Sequence, residues 1–354
     1  MFSTIQIPTV FFFYFTSLML IYTGGTLGMV YDRTGQHLVP FDFSQMNERL
    51  PELNRFAFQL TVVALDQPID SSNVTPEHWL QWAHLIRGNY DRYDGFVILH
   101  GTDTMAYSAS ALSFLLENLN KPVVFTGSQL PLGTVRTDAR ENLMTALEIA
   151  SAKDGAGRPL VPEVCIYFHG LLLRGNQAKK VESVHFDAFQ SENYPLLAEA
   201  GVTIDYNRSL ILPYQGEHPL RVAPMMDGRV AILKLFPGIT RLVADSTVQM
   251  PGLRGLILET YGSGNAPTAG WFIETLRKAV QKGLFVLNVS QCVGGCVVQG
   301  RYETSRHLAE IGILSGSDIT TEAAVTKMMY VLGKDLPDDE TRRQLTTPLR
   351  GEMS

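Results

Sequence analysis

The sequence predicts a two-domain α/β protein, with a larger N-terminal doubly wound parallel sheet and a smaller C-terminal α/β domain. Three observations lead there. Apolar runs of strand length alternate with segments of helical periodicity, the pattern of a parallel sheet covered by helices on both faces. The chain has 354 residues, 45% of them hydrophobic, enough for two cores. Between the two halves that pattern loosens and Pro213, Gly216, Pro219 and Pro224 gather, as in a linker. The implied division is an apolar extension over 1–16, an N-terminal domain over 17–205, a linker over 206–228 and a C-terminal domain over 229–354.

Residues 1–31 carry no charged side chain, and PTVFFFYFTSLMLIY is strongly apolar. A secretory signal would show a basic start and a small-residue cleavage site, and neither is present. Residues 8–22 are short for a membrane span. Ser17 to Thr23 therefore reads as a buried first strand that runs straight into a glycine loop. FQLTVVAL (58–65) is the second strand candidate. Thr75, Pro76 and Glu77 then form a helix start, and Trp79, Trp82, Ile86 and Tyr90 recur at helical spacing as core positions.

GFVILH (95–100) ends in Gly-Thr-Asp-Thr, after which Met105, Ala109, Leu112, Leu116 and Leu119 mark one face of a helix. PVVFTG (122–127) is followed by a helix over 138–152, and EVCIYF (163–168) closes the N-terminal set. In the second half, VAILKLF (230–236), GLILETY (255–261) and LFVLNVS (284–290) each precede a loop and a helix.

Charge and cysteine content exclude some functions. The formal net charge is -6 and no Lys/Arg block occurs, which makes nucleic-acid binding a poor fit. The three cysteines, Cys165, Cys292 and Cys296, form no dense framework, so a reducing, cytoplasmic setting is expected. The eight histidines are scattered, no HExxH occurs, and Cys292–Cys296 has no second pair, so no metal site is expected.

In an open parallel sheet, ligands bind outside the carboxyl ends of the strands. Those ends read Thr23-Gly24-Gly25-Thr26, Asp70-Ser71-Ser72, Gly101-Thr102-Asp103-Thr104 and Gly127-Ser128-Gln129. Ser, Thr and Asp cap helices routinely, so any one of these is weak. Hydroxyls at all four are harder to assign to capping. Gly24-Gly25-Thr26-Leu27-Gly28 does not match GxGxxG, and no GxxxxGK[ST] or GxSxG is present, which disfavours a dinucleotide site, a P-loop and a serine–histidine hydrolase.

What remains is a threonine nucleophile without histidine. Its hydroxyl needs a base. A lysine serves only if its pKa falls from about 10.4 towards 7 to 8. Thr26, Thr102 and Asp103 would supply the hydroxyls and the carboxylate. Composition alone does not name the lysine.

The segments IYTGGTLGM and ILHGTDTMAYSASALSF resemble the two signatures of the type I, cytoplasmic, bacterial-type L-asparaginase family. DSSNVTPEHW, TGSQLP, DARENLMTAL, RGNQAKK, YGSGNAP and LRGEM are similar as well, so the resemblance spans about Leu18 to Met353. It implies hydrolysis of the asparagine side-chain amide to aspartate and ammonia without a cofactor. It also implies roles: Thr26 as nucleophile on a mobile loop, and Thr102, Asp103 and Lys180 in proton transfer, with Lys179 the neighbour that could be confused with Lys180. Asp70, Ser71 and Ser72 would hold the α-amino and α-carboxylate ends, and Asp103 would also grip the α-amino group. Asn265 would be donated across the interface of a homodimer or a dimer of dimers.

The chain departs from the family twice. The tyrosine that assists the nucleophile usually lies further along the mobile loop; here Tyr31 is the only tyrosine in it, earlier than usual, near Gln36 and His37. It either takes that role or is a loop surface residue. Where some relatives use an arginine to bind an activating asparagine, this chain has Glu259, although Cys292 is retained, so weak or absent activation is expected. Glutaminase or mixed amidase activity is the near alternative, since one methylene is worth roughly 1 to 3 kcal/mol. A non-catalytic amino-acid binder on the same scaffold is the alternative from another class.

Overall fold

The computed structural model describes residues 2–7, 16–31, 38–40, 50–216, 218–300 and 303–354. The chain forms two compact units, Met1–Ser191 with Pro195–Val222, and Glu192–Tyr194 with Ala223–Ser354. Unit 1 thus runs through much of the expected linker, to Val222, and the second unit takes up Glu192–Tyr194 from within the expected N-terminal domain.

Unit 1 begins with β1 (Phe2–Ile7), β2 (Thr16–Tyr22), a short antiparallel pair β3 (Met29–Tyr31) and β4 (Leu38–Pro40), and β5 (Phe58–Leu65). Helix α1 (Pro76–Asn89) leads to β6 (Gly95–Leu99), and α2 (Met105–Leu115) to β7 (Leu116–Glu117) and β8 (Val123–Thr126). Helix α3 (Ala139–Ser151) precedes β9 (Val164–Phe168), β10 (Leu171–Arg174), β11 (Lys179–Lys180), β12 (Phe189–Gln190), β13 (Ala198–Ala200), β14 (Ile204–Tyr206) and β15 (Arg221–Val222). Among the described residues the main sheet has nine strands in the order β1-β5-β2-β6-β8-β9-β10-β13-β14.

The central strands β5, β2, β6, β8 and β9 pair in parallel, as the alternating pattern requires. They are apolar on both faces: Leu18, Leu20, Ile21, Phe96, Val97, Ile98, Val123, Val124 and Phe125 are fully buried. Each such side chain contributes roughly 1.5 to 3 kcal/mol on burial. Helix α1 starts as its residues predict. Thr75 is the N-cap, Pro76 is the first helical residue, and His78 completes the capping box by accepting the Thr75 N–H at Nδ1, 3.0 Å away.

Both edges differ from a purely parallel reading. The expected 1–16 extension contributes β1, which covers the β5 edge antiparallel, with Phe2 opposite Leu65. At the other edge β9 and β10 are joined only by His169 and Gly170, with φ of 48° and 82°. Two residues in that conformation make a hairpin and cannot make a parallel crossover.

Unit 2 holds a four-stranded parallel sheet, β16 (Val230–Lys234), β17 (Gly255–Thr260), β18 (Phe285–Ser290) and β19 (Leu314–Ser315), in that order. Helices α4 (Arg241–Val248), α5 (Gly270–Gln281), α6 (Glu303–Glu310), α7 (Thr321–Gly333) and α8 (Asp338–Thr346) accompany it. Leu256, Leu258, Phe272, Leu276 and Leu308 are among its core residues.

Candidate active site

Strand register in unit 1 brings four strand ends together. Tyr22 pairs with Ala64 on one side and Leu99 on the other, and Leu99 pairs with Thr126. Neighbouring strands lie about 4.8 Å apart, so the segments that follow leave the sheet as adjacent loops. Hydrogen bonds then tie them. Thr23 donates to Leu99 O through N at 3.1 Å and Oγ1 at 2.8 Å, and Ile69 N donates to Thr23 O at 2.8 Å.

Gly25 has φ 89°, and a Cβ there would lie 2.5 Å from Gly101 N. Only a glycine permits that backbone angle together with that approach. The contact sets Thr26, which opens a single 3-10 turn and is half-buried, one residue from the place where its loop meets the loop of Thr102.

Ser71 is buried against Gly101: a Cβ on Gly101 would meet Ser71 Oγ at 2.6 Å, and Thr104 Oγ1 donates to Ser71 O at 2.7 Å. Asp70 Oδ1 accepts from Ser72 N at 2.9 Å and Ser72 Oγ at 2.7 Å. Those two bonds, the backbone one foremost, hold the Asp70 carboxyl below its usual range.

Lys180 arrives from far along the chain. Its Nζ donates to Thr102 Oγ1 at 2.8 Å and to Asp103 Oδ1 at 2.6 Å. In β11, Lys179 pairs with Gln190 and Lys180 with Phe189, and successive strand residues point to opposite faces. Phe189 is buried against Phe168, which anchors the strand pair. The Lys180 side chain is 16% exposed and that of Asp103 70%, so the ammonium is sheltered while the carboxylate faces outward.

The loop after β8 is held by a residue that sequence reasoning left without a role. Asp138 accepts from Gln129 N at 2.9 Å and Leu130 N at 3.1 Å, and Asn142 Nδ2 donates to Gly127 O at 3.0 Å. A second such residue is His100, fully buried at the end of β6 and bonded to Gly101 O. Its signal in the sequence was its place directly before Gly101, at the end of an apolar strand.

The structure thus brings Thr102, Asp103 and Lys180 into direct contact, with Ser71 and the Thr26 loop beside them. Asn265 lies in unit 2, where it and Tyr261 exchange backbone hydrogen bonds after β17. Tyr31 ends β3, with its backbone opposite Leu38; its side chain, Gln36 and His37 lie outside the described residues. In unit 2, Glu259 Oε1 accepts from Thr321 Oγ1 at 2.6 Å, and Oε2 is 3.3 Å from Lys234 Nζ. Among the described residues, no group of three or more His, Cys, Asp or Glu is arranged to hold a metal, and no helix is long and apolar enough to cross a membrane.

Known proteins resemble this chain along most of its length. Residues 17–212 match the family "Asparaginase, N-terminal" and residues 229–345 match the "Glutaminase/Asparaginase C-terminal domain". The chain is 41% identical to L-asparaginase 1 of Escherichia coli K12 over 339 residues, 96% of this chain and 98% of that one. It is 39% identical to the 60 kDa lysophospholipase of Mus musculus, covering 95% of this chain and 62% of that protein. A crystal structure of L-asparaginase I from Vibrio cholerae superposes with a TM-score of 0.87 at 38% identity, over 96% of this chain and 99% of that one.

Proposed function

The chain belongs to the asparaginase family, and from that premise we propose that it hydrolyses L-asparagine to L-aspartate and ammonia through Thr26. The observation that carries the mechanism is Lys180 between Thr102 Oγ1 and Asp103 Oδ1, beside the loop of Thr26. Asp103 accepts the substrate's α-ammonium. That adds a positive charge near Lys180 and draws off part of its counter-charge, and both effects favour release of a proton from the ammonium. The free amine then takes the Thr102 hydroxyl proton as Thr102 takes that of the nucleophile, so that one proton in all passes to Lys180.

Thr26 Oγ1 attacks the side-chain carbonyl carbon. The C–N bond breaks, the nitrogen leaves with the transferred proton as ammonia, and Thr26 carries an aspartyl ester. Water adds to the ester, the C–O bond to Thr26 breaks, and aspartate leaves with the Thr26 hydroxyl restored. Asp70, Ser71 and Ser72 hold the α-groups; the Asp70 carboxylate, kept ionised by Ser72, suits an ammonium. Tyr31 assists on the loop, and Asn265 is contributed by a second copy in a homodimer or dimer of dimers. Three cysteines that form no dense framework fit a reducing, cytoplasmic setting for the enzyme.

Ammonia release from asparagine and from glutamine tests the reading. Wild type is expected to favour asparagine. Thr26→Ala and Thr102→Val should each lose on the order of 10³-fold or more in kcat. Wild-type turnover in Thr26→Ala would place the nucleophile elsewhere. Binding of asparagine with no ammonia released would favour the non-catalytic binder.

A further inference from the structure

Behind the Gly101-Thr102-Asp103 loop lies a buried chain of hydrogen bonds. Trp79 Nε1 is 2.9 Å from Ser108 Oγ, Ser108 Oγ is 2.9 Å from His100 Nε2, and His100 Nδ1 is 2.6 Å from Gly101 O. His100 is 2% exposed, Ser108 0% and Trp79 6%. The rings of Trp82 and Phe125 stand edge-on to the imidazole at 5.4 and 5.8 Å.

Chemistry at the two ends sets every proton. An indole N–H only donates and a carbonyl oxygen only accepts. Ser108 Oγ therefore accepts from Trp79 and gives its own hydrogen to His100 Nε2, and Nδ1 carries the ring proton to Gly101. Burial pushes the imidazole down to about 4, so the ring is neutral and this tautomer is the one present.

We propose that His100 is a positioning residue for the site: its Nδ1–H, fixed from behind by Ser108 and Trp79, holds the Gly101 carbonyl and so orients the Gly101–Thr102 peptide. That peptide carries Thr102 to Lys180. It is trans, so Thr102 N–H points away from the buried ring. No acceptor among the described residues takes that N–H, which leaves it available to a substrate. The proposal rests on the function proposed above, and it extends the site three residues deep into α1 and α2. The energetic sense is that a misplacement of about 1 Å in a reacting group can cost up to about 10²-fold in rate.

The test pairs two substitutions of similar bulk. In His100→Asn the amide nitrogen can replace Nδ1 as donor to Gly101. In His100→Gln the amide reaches the Nε2 position and leaves Gly101 O without its donor. We expect kcat on asparagine to fall on the order of ten-fold in His100→Gln, with KM changed much less, and His100→Asn to recover a large part of that loss. Ser108→Ala, which leaves the ring in place, should show a smaller drop in kcat. Thermal melting of all variants confirms that each is folded.

Equal loss in the Asn and Gln variants, or no loss in either, would overturn the positioning role. The ring itself is read without substrate: 15N chemical shifts of His100 should show a protonated Nδ1 and a bare Nε2. A protonated Nε2 would sink the relay even if the kinetics agreed. Wild type that releases no ammonia would instead refute the proposed function, with the tautomer still deciding the relay.

Discussion

Lys180 and His100 show what burial does to a single basic group. Lys180 keeps a carboxylate partner at 2.6 Å and a side chain still 16% exposed, while His100 has only neutral partners and is 2% exposed. The second case has a consequence for acid stability. The folded ring titrates at about 4 and an unperturbed histidine at 6.5. Between those values the unfolded chain binds a proton that the folded protein does not, so stability falls as pH falls through that window. The contribution is full above about 6.5 and lost below about 4. From pH 7.5 to 5 the wild type should lose about 2 kcal/mol through this group. His100→Asn, with nothing to titrate there, should lose correspondingly less in denaturant melts over the same range. Parallel pH dependence in the two proteins would contradict this.

At the scale of elements, the site depends on parallel strands ending level and on loops that touch. Gly25 and Gly101 approach so closely that any side chain at Gly25 collides with backbone, and φ 89° already disfavours an L-residue there. Gly25→Ala should therefore push the Thr26 loop off the Thr102 loop. The expected outcome is a loss of at least about 10²-fold in kcat, with a melting temperature lowered far less than a core substitution would lower it. Wild-type turnover in this variant would mean that the two loops need not meet. The four strand-end loops were legible in the sequence because a parallel sheet puts all its carboxyl ends on one side. The β9–β10 hairpin was not, because His169-Gly170 resembles no common turn pair. Nor was the edge strand β1, whose pairing with β5 joins segments that no local pattern links.

Across the whole molecule, the C-terminal segment is locked into unit 2 by a fully buried ion pair. Lys327 Nζ on α7 lies 2.6 Å from Glu352 Oε1, both side chains at 0% exposure. Glu352 also accepts from Leu349 N and Arg350 N, and Lys327 donates to Thr347 O. Burial pulls the Lys327 ammonium below its usual range while Glu352 opposes that. Glu352→Gln would leave the ammonium buried and unpaired, at a cost of about 3 to 5 kcal/mol, read as a lower denaturant midpoint. Lys327→Met added to it should restore part of the loss, because the uncompensated charge is gone. A single variant as stable as wild type would mean that the pair contributes nothing net.

By itself the sequence determined the class of fold, the central parallel strands of both sheets within a few residues, and which loops carry hydroxyls and carboxylates. These are local properties, set by periodicity, capping and turn residues over short windows. Tertiary structure alone brought Lys180, 77 positions from Asp103 and named only through the family resemblance, into contact with it, and turned Lys179 to the opposite face. It also decided that a histidine, a serine and a tryptophan from three elements form one directed chain behind Thr102. Strand register and helix packing make those contacts, and both are fixed by pairings between distant segments that no single stretch of residues encodes.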